Sequence, residues 1–204
     1  MKICILGAGK IGGVLGQKWA GKGHEVVFGV RDPQAQKVQN LLQSIEGSVT
    51  PAAIDSAVKV DTAVVLLAIP GSAVPATAAA LGEQLDVKIV IDATNNINAP
   101  VMNSLATLQA HAPKAHFYRA FNHLGWENFA DPVIGGETAD LFYCGEAGEN
   151  NLIVNQLIAD VGLRPIYAGG LEIAPVVDNL TRLWFLLALQ QGYGRHSAFK
   201  FLAE

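Results

Sequence analysis

The chain is predicted to be an α/β protein: a Rossmann-type, doubly wound, mostly parallel sheet with helices on both faces, extended by a small C-terminal α/β portion. Three observations predict it. Apolar, β-branched runs alternate with helical patterns along the whole chain, as strands and crossover helices do. The first run, Lys2 to Leu6, stops abruptly in Gly7-Ala8-Gly9-Lys10-Ile11-Gly12, a glycine turn leading into a helix. Another run, Thr62 to Ile69, is continuously apolar rather than alternating, the pattern of a strand covered on both faces.

Past the glycine turn, Ile11 to Lys22 reads as a helix closed at Gly23. His24 to Gly29 is the second strand. Asp32-Pro33 has the chemistry of a helix cap and a first-turn proline, opening a polar helix through Ser44. Ser48 to Thr50 is a short strand and Pro51 to Val58 a short helix. The strand from Thr62 is stopped by Pro70-Gly71. Ala73 to Leu85 is an alanine-rich helix, Lys88 to Asp92 a strand, Leu105 to His111 a helix and His116 to Phe121 a strand. Trp126 to Phe129 is a loop or one turn. Leu141 to Cys144 and Pro165 to Ala168 are the last strands, on either side of a helix over Asn150 to Val161. Glu172 to Gln191 is an apolar helix, followed by a Gly192-Tyr193-Gly194 break and a tail.

Composition bounds the function. Of 204 residues, 50% are hydrophobic and 16% charged, so a substantial core is available and disorder is excluded. The net charge of -4 is spread without basic blocks, which excludes the electrostatic footprint of a nucleic-acid partner. Cys4 and Cys144 lie inside strands with no metal or redox spacing and read as reduced core residues. Lys10 interrupts the first apolar run, so it is not a signal peptide. The later run Leu183 to Leu189 is far below the roughly 20 residues that span a bilayer. A cytoplasmic protein without a membrane partner is expected. It forms a single compact unit, with residues 1–122 binding the nucleotide and 123–204 extending the sheet over its active edge.

The glycine turn carries the chemistry. Gly7 allows the tight turn, Gly9 lets a pyrophosphate reach bare backbone, and Gly12 lets the helix pack closely on the strand. The helix start offers unpaired amides and its positive dipole end to phosphate. The second strand ends in Val30-Arg31-Asp32-Pro33, so an arginine stands where NAD-binding chains place a carboxylate. Arg31 could grip a 2′-phosphate, helped by Lys37, while Asp32 caps a helix; the alternative is Asp32 as ribose ligand. The ligand of such a sheet lies across the carboxyl ends of its strands, here Ala68-Ile69-Pro70, Ala93-Thr94-Asn95 and Ala120-Phe121-Asn122. Ile69 and Pro70 shape the wall. Asn95 and Asn122 either bind ribose and carboxamide groups or cap their own turns. The expected cofactor set is Gly7, Ala8, Gly9, Lys10, Ile11, Gly12, Arg31, Lys37, Ala68, Ile69, Pro70, Asn95, Ala120 and Asn122. His123 is the histidine at this edge, a proton donor or a positioning residue. No metal site is expected.

Missing machinery is informative too. No tyrosine has a lysine four residues on, the acid of short-chain dehydrogenases. Reduction of a polar carbonyl needs such an acid, whereas transfer to a flavin-like ring mainly needs stacking, orientation and water exclusion.

At this point the chain resembles the reductases that exchange hydride between NADP and the deazaflavin coenzyme F420, and the related oxidoreductase domain of six-transmembrane metalloreductases. The resemblance rests on Ile5 to Gly12, Gly29-Val30-Arg31, Ala68-Ile69-Pro70, Arg119 to Asn122, Gly169-Gly170-Leu171 and the ending Gly194 to Leu202. It implies NADP(H) in the glycine turn with Arg31 on the 2′-phosphate, a homodimer, and a small-molecule acceptor near Ala120 to Asn122. That acceptor would be coenzyme F420, FMN or FAD. The family often has Ser or Thr before the arginine; Val30 leaves Arg31 without that second donor. The leading expectation is therefore an NADP(H)-dependent oxidoreductase passing hydride to or from a flavin or deazaflavin. Alternatives are a reductase of a small carbonyl or imine with His123 as acid, and a non-enzymatic NADP(H) redox sensor. Leu180 to Leu189, with Trp184 and Phe185, serves either as a dimer face or as cover for the sheet.

Overall fold

Ile3, Ile5, Cys4 and Leu6 are all fully buried, yet Ile3 and Ile5 belong to one apolar cluster and Cys4 and Leu6 to another. A strand whose successive side chains enter two different cores lies inside a sheet covered on both faces. That strand is β1 (Lys2–Leu6) in a computed structural model that describes residues 1–59 and 61–204. Around it the described residues place β2 (Glu25–Val30), β3 (Val49–Ala53), β4 (Val64–Leu67), β5 (Ile89–Asp92) and β6 (His116–Arg119). Two short strands, β7 (Val133–Ile134) and β8 (Glu137–Thr138), make a separate hairpin before β9 (Asp140–Gly145) and β10 (Arg164–Tyr167).

The main sheet is eight-stranded in the order β10-β9-β6-β5-β4-β1-β2-β3. Strands β1 to β6 run parallel, with Ile5 in register with Phe28 on one side and Leu66 on the other. This is the doubly wound order, and its reversal falls between β1 and β4. β9 joins antiparallel to β6 through Tyr118↔Gly145 and Arg119↔Cys144, and β10 follows parallel to β9. The sheet is thus mostly parallel, and its C-terminal extension continues the same sheet.

One face is covered by α1 (Lys10–Gly21), α6 (Trp126–Ala130) and α7 (Glu149–Val161). Trp19 of α1 is fully buried there and donates its Nε1–H to Leu157 O of α7 at 2.9 Å. The other face carries α3 (Ile54–Lys59), α4 (Val74–Leu81), α5 (Leu105–His111) and the first part of α8 (Ala174–Phe185), which ends in a π turn over Leu186–Gln190. α2 (Gln36–Gln43) lies beside β3. No helix of the described residues is long and apolar enough to cross a membrane. Cys4 and Cys144 are free and buried, and burial pushes both thiols up to about 12.

Two expectations are corrected, and one small element is additional. The strand expected over Ser48 to Thr50 runs through Val49–Ala53 and takes in Pro51, because β3 is the sheet edge, where a missing N–H is tolerated. The helix expected from Asp32-Pro33 begins at Gln36. Asp32 instead closes a local turn, its Oδ1 accepting the Gln34 N–H at 2.9 Å. The β7–β8 hairpin has strands too short to leave a period-2 signal in the sequence.

Candidate active site

The glycines of the turn divide the labour. Gly7 has φ +109°, and a Cβ there would stand 2.5 Å from Ala68 O at the end of β4. At Gly12 a Cβ would meet Gly7 O at 2.2 Å and Ile5 Cγ2 at 3.1 Å, so this glycine lets α1 sit down on β1. Gly9 is different: its φ of -83° suits any residue and nothing lies within 4 Å of a built Cβ. The space above Gly9 is therefore reserved for something that is not protein. Gly9 also caps α1, and no side chain accepts from the first amides of the helix. Bare donors, open space and the positive end of a helix together fit a pyrophosphate.

From Gly9 a crevice runs in two directions. One arm, about 730 Å³, is lined by Gly7, Ala8, Gly29 to Asp32, Lys37, Ile54, Ser72 and Thr77, with Ala68, Ile69 and Pro70 as its wall. Arg31 and Lys37 are exposed there, and neither appears in an ion pair or side-chain hydrogen bond among the described residues. Two unneutralised cations, Arg31 just past the end of β2 and Lys37 in the first turn of α2, suit an adenosine carrying a phosphate. Val30 is only 8% exposed and packs into the core while its edge borders the arm.

The other arm, about 540 Å³, shares Gly9, Ala68 and Pro70 and is completed by Lys10, Ile11, Trp126, Glu127 and Arg195. The Lys10 ammonium lies 4.9 Å above the Trp126 ring. Arg195 Nε donates to Glu127 Oε1 at 2.7 Å, and its guanidinium stands 5.6 Å from the Trp184 ring centre. Burial would raise the Glu127 carboxyl, but the hydrogen bonds from Arg195 and its own backbone, with the charges of Arg195 and Lys10, outweigh it and hold the group below its ordinary value. Glu127 is thus a carboxylate at neutral pH, not an acid.

Beneath the strand ends lies a buried polar cluster. Asp92 and Arg119 are register partners on β5 and β6, both fully buried. Arg119 donates through Nε to Asp178 Oδ1 of α8 at 2.8 Å, through Nη1 to Asp92 O at 3.0 Å and Thr94 O at 2.5 Å, and through Nη2 to Asn95 Oδ1 at 2.8 Å. Asn95 Nδ2 donates to Asn122 O at 2.7 Å, and Asn122 Nδ2 to Thr181 Oγ1 at 2.8 Å. Between them Phe121 takes φ +59°, an unusual conformation for a bulky residue, its ring held edge-on by Trp19 and Phe129. His123 is fully buried, its Nε2 accepting from Phe142 N–H at 3.4 Å, and burial lowers its imidazole to about 4.

This arrangement can be set beside known proteins. Residues 2–96 match the family model described as NADP oxidoreductase, coenzyme F420-dependent. An F420-dependent NADP reductase of Methanothermobacter thermautotrophicus is 28% identical, over 90% of this chain and 87% of that protein. This chain is thus similar to coenzyme F420-dependent NADP oxidoreductases, by a model over its N-terminal part and by a relative over most of its length. An NADP-dependent oxidoreductase is the reading that these relatives support. The fold of this chain is shared over the full length of both chains with a candidate F420-dependent NADP reductase from Arthrobacter sp. FB24, at 24% identity and a TM-score of 0.84. It is also shared with an imine reductase from Aspergillus terreus, at 22% identity and a TM-score of 0.68, over 94% of this chain and 63% of that one.

The crevice gathers Gly7, Ala8, Gly9, Lys10, Ile11, Arg31, Lys37, Ala68, Ile69 and Pro70. Gly12 lies beneath the turn as a packing residue. Asn95, Ala120, Asn122 and His123 line neither arm. Ala120 is fully buried, and the amides of Asn95 and Asn122 are engaged within the protein, leaving Asn122 Oδ1 as a buried acceptor without a partner. Sequence reasoning passed over Trp126, Glu127 and Arg195, which meet only because the tail returns past α6, and the ion-paired Arg119, Asp92 and Asp178. A charged residue inside the apolar run His116 to Phe121 was the available signal for Arg119. Among the described residues no group of histidine, cysteine and carboxylate side chains could hold a metal ion.

Proposed function

We propose that this protein carries hydride between NADP(H) and a planar deazaflavin of the coenzyme F420 type. The observation that carries the reading is the two-armed crevice pivoting on Gly9. Arg31 and Lys37 would hold the 2′-phosphate, the α1 amides the pyrophosphate, and the arm walled by Trp126 the reacting ring. When bound, NADPH supplies the hydride. The chain's own residues orient and enclose: Ala68 and Pro70 form a rigid floor common to both arms, and Trp126 with the Glu127–Arg195 pair closes the far end against water. The titratable groups lining that arm are Lys10, Glu127 and Arg195, so no neutral acid faces it. A ring acceptor needs none. The family model and the names of the Methanothermobacter relatives support the same acceptor. In this reading residues 1–122 hold the nucleotide and 123–204 wall the acceptor arm.

Anaerobic mixing of the protein with NADPH and, separately, F420, FMN and FAD tests the reading by acceptor absorbance. Bleaching of F420 is expected, and absence of NADPH oxidation with every acceptor overturns it. The second reading, reduction of a small imine, is favoured by the shared imine-reductase fold. It loses its proposed acid because His123 is walled off from the crevice. The active form is a homodimer in this proposal: α8 and its π turn bury Trp184 inward and leave Val176, Leu183, Leu186 and Leu189 exposed. Light scattering after gel filtration should give twice the chain mass, and a monomer refutes that part.

A further inference from the structure

We infer that Asp32 makes the adenosine arm a dual-specificity site that admits NAD(H) as well as NADP(H). The inference rests on reading this arm as the nucleotide site and adds a second cofactor to it. Asp32 lines the same arm as Arg31 and Lys37 and is exposed. Its Oδ1 accepts the Gln34 N–H at 2.9 Å, which fixes the carboxylate at the end of β2. Its Oδ2 has no partner among the described residues, and no ion pair joins Asp32 to Arg31 or Lys37. The arm therefore presents two free cations and one free carboxylate oxygen side by side, without a hydroxyl at Val30.

These groups act on the two nucleotides in opposite senses. A 2′-phosphate gains charge-assisted hydrogen bonds from Arg31 and Lys37 but is repelled by Asp32. A 2′-hydroxyl gains little from the cations and donates to the free Oδ2, the interaction by which NAD-binding sheets recognise ribose. Because all three side chains are exposed, screening keeps each effect modest and neither nucleotide is shut out. The site prefers NADP(H) without excluding NAD(H).

The test is calorimetric binding of NADP+ and NAD+ to the wild type, Asp32→Asn and Asp32→Ser, with melting temperatures as the folding check. Asn keeps an Oδ1 for the Gln34 N–H, so the turn survives while the charge is removed. The expected result is that both nucleotides bind the wild type competitively. Asp32→Asn should then weaken NAD+ about ten-fold while NADP+ holds or tightens. Asp32→Ser should shift the ratio in the same direction. The proposal is overturned if NADP+ binds but NAD+ does not compete, or if neither variant changes the ratio. Binding of neither nucleotide by the folded wild type overturns the nucleotide reading of the crevice itself.

Discussion

Gly9 has room for a methyl group where Gly7 and Gly12 have none, and this separates binding from folding at single-residue resolution. Gly9→Ala should fold with an unchanged melting temperature and lose NADP+ affinity at least ten-fold, read by calorimetry. Gly7→Ala combines a left-handed backbone with a contact on Ala68 O and should destabilise by about 1–3 kcal/mol or more, read by chemical unfolding. The neighbouring cation offers a second test: Arg31→Ala should weaken NADP+ by about 1.5–3 kcal/mol and leave NAD+ nearly unaffected. His123 supplies a pH dependence. Its folded value of about 4 lies below the ordinary 6.5, so the unfolded chain binds the proton first as pH falls. Stability from this group is complete above pH 6.5 and lost as pH drops toward 4, by about 3 kcal/mol. Melting from pH 7 to 4 in wild type and His123→Gln should show the slope flattened in the variant.

At the scale of elements, α8 ties the carboxyl ends of β5 and β6 together from the side. Asp178 and Thr181, three residues apart on one face, receive Arg119 and Asn122 respectively. Removing Asp178 strips Arg119 Nε of its acceptor and leaves the buried guanidinium to Asp92 alone, 3.5 Å away, so Asp178→Ala should cost about 3 kcal/mol by urea unfolding. The elements whose apolar runs were long and bounded by glycine or proline, such as β1 and β4, were legible in the sequence. Their neighbours do not change what an apolar residue does. α2 was not, because Asp32-Pro33 satisfies its own turn locally and delays the helix to Gln36. Neither was the second arm, since Trp126 and Arg195 are brought together by tertiary packing.

Across the whole molecule, one continuous sheet carries both arms of the crevice, and its order places the glycine turn and the Ala68-Ile69-Pro70 wall at the point where the winding reverses. The doubly wound class and a ligand edge at the strand ends followed from the glycine turn and the alternation of elements, and the strand order did not. What the pattern could not supply was the far wall, contributed by a tail that lies along β9: Phe201 N donates to Asp140 Oδ2 at 2.6 Å, and Asn128 Nδ2 donates to Arg195 O at 2.9 Å. Arg195→Ala frees Glu127 and opens that wall. It should leave NADP+ affinity within about two-fold, in line with a loss confined to a half-buried pair in the other arm, while acceptor turnover falls.

The two arms therefore differ in how far along the sequence their walls are gathered. Residues between Gly7 and Thr77 line the first arm, whereas the second is closed only when Arg195 of the tail meets Lys10, Trp126 and Glu127. Partial denaturation that releases the tail should then spare NADP+ binding while acceptor reduction is lost, so that affinity and turnover part company before the sheet itself unfolds.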